Sequence, residues 1–254
     1  MGLLINLEAI DRAGKSTQAD QVAAALAAQG RSVAILGFPD RPSRSEPVSP
    51  DMPVAQYATG TLINRYLDGE LPLVDLRDSF FRRPEIATLD LEVREAIAAD
   101  VQEKIIQAIY SVNRRERARD MRDAIANNDF VFVGRWLSGY TYGMANGVGR
   151  AQLDLLEGEL PQPELTILLD LDPAAARERR TSDVYDRYEA DLDLQDRVRR
   201  LYNELVRDDA EAAETEGRRP RFFRIDATLP ADEITARIVT AIAELEAALS
   251  AARA

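Results

Sequence analysis

"LEAIDRAGKST", residues 7–17, carries the phosphate-binding spacing G-x-x-x-x-G-K-[ST] with one departure: Ala9 occupies the first glycine position. It follows "LLINLE" (3–8), an apolar run that reads as a short buried strand, and it opens a helical stretch from Ser16 to about Gln29, with Gly30 as its C-cap. A loop that leaves a buried strand and opens a helix points backbone N–H groups and a positive helix end at one spot. There Gly14 permits close approach of phosphate oxygens. Lys15 is placed to reach the outer phosphates as a point charge, and the Ser16 hydroxyl to hold Mg²⁺. If the first glycine position requires positive φ, Ala9 costs about 1–2 kcal/mol; at negative φ its methyl is tolerated.

Working outward, "SVAILGFP" (32–39), "DFVFVGRW" (129–136), "ELTILLDLD" (164–172) and "RFFRIDA" (221–227) read as four more strands. Most are near-continuous apolar runs, as expected where both faces of a sheet are covered. Helical stretches over 58–67, 85–126, 173–181, 194–215 and 231–252 alternate with them. This alternation predicts an α/β fold with a five-stranded parallel sheet and helices on both faces. The 254 residues, 46% hydrophobic, suffice for one domain spanning 1–254. Residues 42–100 read as an elaborated loop and helical insertion on one side of the sheet. Ile234, Ile238, Ile242 and Leu245 recur at helical spacing in an otherwise Ala/Glu-rich tail, marking a packed terminal helix.

Composition removes several chemistries. The chain has no cysteine and no histidine, so thiolate nucleophiles, Ser-His-Asp hydrolysis and imidazole acid–base catalysis are out of reach. Carboxylate, lysine, arginine and hydroxyl groups remain, and these suit phosphoryl transfer, which depends on positioning and positive charge. The formal charge of −12 disfavours general binding to nucleic acid or anionic membranes. No apolar run approaches the roughly 20 residues that span a bilayer. The opening residues lack a basic region and meet Glu8 and Asp11 early, so a signal peptide is not expected and a cytoplasmic location is.

With Asp11, Arg12 and the following residues included, "DRAGKSTQ" resembles the loop of the thymidylate kinases, P-loop nucleoside monophosphate kinases that move the γ-phosphate of ATP onto dTMP. Further segments in the family's order sharpen the likeness: "FPDR" (38–41), "YSVNRRE" (110–116), "GRWLSGYTYG" (134–143), "DRYE" (186–189) and "RIDAT" (224–228). The resemblance implies a P-loop NTPase fold, conversion of dTMP to dTDP on the way to dTTP, ATP and Mg²⁺ as cofactors, and a homodimer. It assigns Lys15, Arg12, Arg135 and Asp11 to catalysis, Asp11 lying near the acceptor sugar. Ala13, Gly14, Lys15, Ser16 and Thr17 are expected on the ATP phosphates, and Arg180, Asp226 and Ala227 around adenine. For the acceptor it implies Phe38 among the substrate-binding residues, Arg41 at the monophosphate, Tyr110 stacked on the base, Arg114 at the base edge, Arg135 on the phosphate with Ser138 nearby, and Tyr142 under the sugar. Arg187 and Tyr188 belong to a lid over 177–189. Arginines suit such roles because a guanidinium is a planar, permanently charged, bidentate clamp.

Gly134 stands where the family usually has an aspartate before the arginine. Glu8, Asp11 or Asp40 could supply a substitute oxygen ligand. Two other readings therefore stand beside a thymidylate kinase. One is a kinase for another deoxynucleotide or a deoxynucleoside; the other is a nucleotide-binding regulatory protein with weak catalysis.

Overall fold

The computed structural model describes residues 2–41, 56–71, 73–76, 80–179 and 186–252. Five strands form one parallel sheet: β1 (Leu3–Glu8), β2 (Val33–Gly37), β3 (Phe130–Gly134), β4 (Leu165–Asp170) and β5 (Phe222–Asp226), in the spatial order β2-β3-β1-β4-β5. The register sets Leu7 beside Gly134 and Gly37 on its other side. From β1 the chain crosses to β2 on one side, and from β3 it crosses to β4 on the other. Adjacent strands whose connections diverge leave a crevice beyond their carboxyl ends, where α/β proteins bind ligands.

The continuous apolar runs arise because side chains alternate between two covered faces. Ile5 and Leu7 of β1 and Phe130 and Phe132 of β3 point into the main core, whereas Leu4, Val131 and Val133 point into a smaller cluster with Met121 and Trp136. The main core includes Val22 and Leu26 of α1 (Lys15–Ala27), Val198 and Tyr202 of α9 (Leu192–Glu216), and Ile234, Ile238, Ile242 and Leu245 of α10 (Ala231–Ala251). The expected Gly30 stop holds: Gly30 has φ 79°, and Arg31 N–H donates to the Leu26 carbonyl beyond the helix end.

The helices differ from expectation in three places. The stretch read as one helix over 85–126 is a short turn, α3 (Pro84–Ala87), followed by the 37-residue α4 (Leu91–Asn127). The extended backbone of Asp90, ψ 150°, separates them. A π-helical turn (Gln56–Gly60) leads into α2 (Thr61–Leu67), whose Ile63, Tyr66 and Leu67 join the main core. Helices α5 (Ser138–Ala145) and α6 (Arg150–Glu157) were not anticipated; "RAQLDLLE" of α6 is amphipathic and rich in helix formers, whereas α5 carries no clear helical signature. In "SGYTYGMA" two glycines and two tyrosines oppose helix formation, and burial of Ser138, Gly139, Thr141, Tyr142 and Gly143 overrides that preference. Two short helices, α7 (Pro173–Glu178) and α8 (Arg187–Ala190), lie before α9.

Gly134 ends β3 without positive φ, and a Cβ built there meets no atom within 4 Å. Glycine is therefore not required by local geometry. Gly134→Ala is expected to raise stability by about 0.4–1 kcal/mol through a less flexible unfolded chain, read as a higher midpoint in urea unfolding at unchanged slope.

Candidate active site

The loop between β1 and α1 wraps the helix N-terminus, with Gly14 in the left-handed region at φ 98°. The strain anticipated at Ala9 is absent there. Ala9 is buried with negative φ, and the left-handed non-glycine residue of the loop is Arg12, φ 67°. Lys15 folds back across the loop, its Nζ donating to the carbonyls of Ala9 and Ile10 at 2.8 Å each. Desolvation, with the nearby Arg135 charge, lowers the Lys15 ammonium to about 8. Ser16 and Thr17 are exposed in the first turn, and Ala13 is buried beneath it.

Immediately after β3 the chain turns at Arg135, φ 59°, with its N–H on the Leu7 carbonyl at 3.2 Å. This turn swings the Arg135 guanidinium onto Asp11 of the phosphate loop. Burial alone would raise the Asp11 carboxyl, but Arg135 and Lys15 together hold it down to about 2. Asp11 Oδ2 also accepts the Tyr142 hydroxyl at 3.2 Å. Gln195 of α9 ties the assembly together. Its Oε1 accepts the Asp11 N–H (3.3 Å) and the Tyr142 hydroxyl (3.1 Å), while its Nε2 donates to the Tyr188 carbonyl (2.9 Å).

Glu8, the last residue of β1, is fully buried between two donors, the Leu137 N–H on Oε1 at 2.5 Å and the Tyr202 hydroxyl on Oε2 at 2.6 Å. Burial raises its carboxyl above the usual range despite those donors. The three proposed substitutes for a carboxylate at 134 are thus all engaged. Glu8 holds Leu137 and Tyr202, Asp11 holds Arg135 and Tyr142, and Asp40 is ion-paired with Arg117 at 2.9 Å. Among the described residues no cluster of three or more acidic groups could form a protein cage for a metal ion. A hard ion such as Mg²⁺ needs only one or two protein oxygens beside phosphate and water oxygens, and the exposed Ser16 hydroxyl fits that role.

Across the Asp11–Arg135 pair lies a cleft whose lining includes Arg41, Tyr110, Arg114, Arg135, Tyr142 and Tyr188. Tyr110 and Arg114 stand on one face of α4. Arg114 is 2% exposed and paired with Glu157 at 3.0 Å. Arg41 donates to Asn64 Oδ1 at 3.2 Å. Its loop is clamped by Asn113, whose Oδ1 accepts Asp40 N–H and whose Nδ2 donates to the Asp40 carbonyl, each at 2.8 Å. Ser138 lines the cleft and donates to the Arg135 carbonyl at 2.8 Å. Phe38 does not line it, because its ring enters the smaller core edge-on to Trp136 at 4.8 Å.

At the far end Tyr188 donates to Glu103 Oε2 at 3.1 Å and Arg187 lies over the Tyr66 ring at 4.4 Å. Arg12 of the phosphate loop pairs with Glu189 of α8 at 3.2 Å. On the other flank Asp226 accepts both Thr228 groups, and the Ala227 carbonyl accepts Arg179 at 2.6 Å. Arg180 and the middle of the 177–189 stretch lie outside the described residues. Sequence reasoning did not find Gln195, Asn113, Glu103 or Tyr202 as site-building groups. Asn113 lies within the "YSVNRRE" segment, whose likeness gave it no role of its own; the other three are isolated polar or aromatic residues inside helices, and nothing in the linear pattern distinguishes them from solvated neighbours.

A phosphate loop and an arginine- and tyrosine-lined cleft thus meet at the crevice of this sheet order. The family model described as thymidylate kinase matches residues 76–238. Thymidylate kinase of Leifsonia xyli is 34% identical over 172 residues, covering 62% of this chain and 76% of that one. The Deinococcus radiodurans thymidylate kinase is 27% identical over 254 residues, covering 96% and 97%. The solved structure of Candida albicans thymidylate kinase superposes with a TM-score of 0.63 at 23% identity, covering 96% of this chain and 92% of that one, a likeness of fold. The chain belongs to the thymidylate kinase family.

The raised Glu8 carboxyl sets a pH dependence. Between its ordinary value and its raised native value, the native state binds more protons than the unfolded state, so stability falls as pH rises through that window. Glu8→Gln keeps an acceptor for Leu137 and a group for Tyr202 while removing the titration. Its urea midpoint is expected to fall less than that of the parent between pH 4.5 and pH 8, and an identical decline in both proteins would refute the assignment.

Proposed function

We propose that this protein is an ATP-dependent thymidylate kinase that transfers the ATP γ-phosphate to dTMP, giving dTDP. The observation that carries the reading is the Asp11–Arg135 pair, which joins the Lys15 phosphate loop to the Arg41–Tyr110–Arg114 cleft at one point. ATP phosphates lie on the backbone N–H groups of 13–17 with Lys15 transferred to them from the Ala9 and Ile10 carbonyls. Bound Mg²⁺ supplies charge neutralisation at these phosphates, with the Ser16 hydroxyl as its protein oxygen. Asp226 and Ala227, with Arg180, flank the adenine.

Arg41 and Arg135 hold the monophosphate in line, Ser138 beside them, while Tyr110 offers its ring to the base and Tyr142 packs under the sugar. The acceptor is a phosphate oxygen already anionic near neutral pH, so no general base is needed, and a chain without histidine is equipped for the reaction. Arg12 approaches the transferring phosphoryl group, where a planar donor fork meets charge spread over its equatorial oxygens. Closure of 177–189 over the nucleotides, carrying Arg187 and Tyr188, excludes water so that phosphate goes to dTMP and not to solvent. A homodimer and a cytoplasmic location complete the proposal. Among the described residues no helix is long and apolar enough to cross a membrane.

One observation favours a second reading, a nucleotide-binding protein of low turnover: residue 134 is a glycine and itself offers no carboxylate to the open space beside it. A coupled ADP-release assay with dTMP, dUMP, dCMP, dGMP, dAMP and thymidine separates the two. The expected result is selective turnover with dTMP, reduced at least about 100-fold in Lys15→Ala, since a phosphate-stabilising charge is worth that much in the transition state. Turnover with another monophosphate replaces the substrate. ATP binding with no Lys15-dependent turnover on any acceptor assigns the chain to the binding class.

A further inference from the structure

Three residues of α4, Gln107, Tyr110 and Arg114, lie on one face at helical spacing and line the acceptor cleft together. Gln107 has no paired side-chain atom at all. It is 1% exposed, and neither its Oε1 nor its Nε2 has a hydrogen-bond partner. Buried amides are rarely left unpaired, because desolvation removes water bonds that nothing replaces. Its surroundings hold it in that state. A Cβ at Gly143 of α5 would sit 3.3 Å from Gln107 Cγ, and one at Gly139 would sit 2.5–2.6 Å from the Arg114 guanidinium nitrogens. The two glycines, one helical turn apart, are what let both polar groups lie against α5. Arg114 Nε is likewise buried with no hydrogen-bond partner, although its NH1 is held by Glu157.

An amide presents one acceptor and one donor side by side, and a guanidinium presents donors only. Beside an aromatic face at Tyr110, this combination matches the edge of a nucleobase. The all-donor Arg114 demands a ring carbonyl. Adjacent to that carbonyl, Oε1 of Gln107 can accept a ring N–H while Nε2 donates to the next carbonyl. A 4-oxopyrimidine has that order: carbonyl, N3–H, carbonyl. Cytosine and adenine turn an exocyclic amino group toward Arg114, and guanine opposes its amino group to Nε2.

We propose that Gln107 is a specificity-determining residue that accepts the N3–H of a 4-oxopyrimidine base and donates to its neighbouring carbonyl, so that the cleft reads both hydrogen-bonding faces of the base edge. This rests on the thymidylate kinase reading and deepens it.

The test pairs a variant with a modified ligand. Binding of dTMP and of N3-methyl-dTMP is measured calorimetrically for the parent and for Gln107→Leu, with steady-state kinetics and ligand-free melting alongside. The parent is expected to bind N3-methyl-dTMP about tenfold or more weakly than dTMP, because a site built to hydrogen-bond a donor rejects the analogue lacking it. Gln107→Leu is expected to weaken dTMP by a similar factor, to bring the two ligands within about threefold of each other, and to place its loss on KM more than on kcat. Its ligand-free melting temperature should equal or exceed the parent's, since an unpaired buried amide has been removed. Equal affinity of the parent for the two ligands would overturn the proposal without any variant. So would full discrimination retained in Gln107→Leu, or in Gln107→Met if the leucine variant does not fold. A parent that binds no dTMP but does bind another monophosphate refutes the thymidylate reading itself, an outcome distinct from both.

Discussion

The ion pair between Arg135 and Asp11 is the contact on which the site depends. It spans the crevice between the ends of β1 and β3, the two neighbouring strands whose connections run in opposite directions. The sheet order creates that crevice, and the left-handed turn at Arg135 aims the guanidinium across it. Tyr142 and Gln195 then attach α5 and α9 to the same carboxylate. Lys15 also lies near Asp11, so this partly buried carboxylate sits between two cations. Without it, the Lys15 and Arg135 charges would face each other with that carboxylate gone, an arrangement that disfavours the charged form of Lys15.

The location of backbone strain follows from the same contact. Ala9 was the suspect position, yet the left-handed non-glycine residues are Arg12 and Arg135. Both carry guanidinium groups proposed to meet phosphate. Positive φ at a residue with a Cβ is unfavourable and tends to persist where function requires it. Here it sets the direction of two arginines that follow the neighbouring strands β1 and β3, Arg135 toward Asp11 and Arg12 toward Glu189, while Ala9 needs no positive φ.

How legible this was in the sequence varies with the physical origin of each element. The strands and the longest helices were readable because burial on both sheet faces demands continuous apolar runs, and helical packing demands apolar residues every third or fourth position. Lys15 and Ser16 were readable because the phosphate loop has a rigid spacing. The roles of Arg41, Tyr110, Arg114 and Tyr142 came from a resemblance of ordered segments; on their own they look like surface charge or ordinary packing. Phe38 shows the limit of that method, since its ring serves the core beside Trp136. The partners of Asn113 and Gln195, and the setting of Gln107, were invisible for a different reason. A polar residue inside a helix gains significance only from what faces it, and partners at sequence separations such as 73 and 184 leave no local trace.

Helix α5 forms one wall of the acceptor cleft, yet its sequence is a poor helix former, with glycines at the two positions that admit Gln107 and Arg114. Its order is therefore borrowed from α4, α9 and the end of β3 rather than generated within the segment. The wall cannot exist ahead of the rest of the domain: any state in which α4 or α9 is undocked is also a state without a base slot. The cleft is thus a product of the completed tertiary fold, and a form in which these helices are undocked lacks that wall.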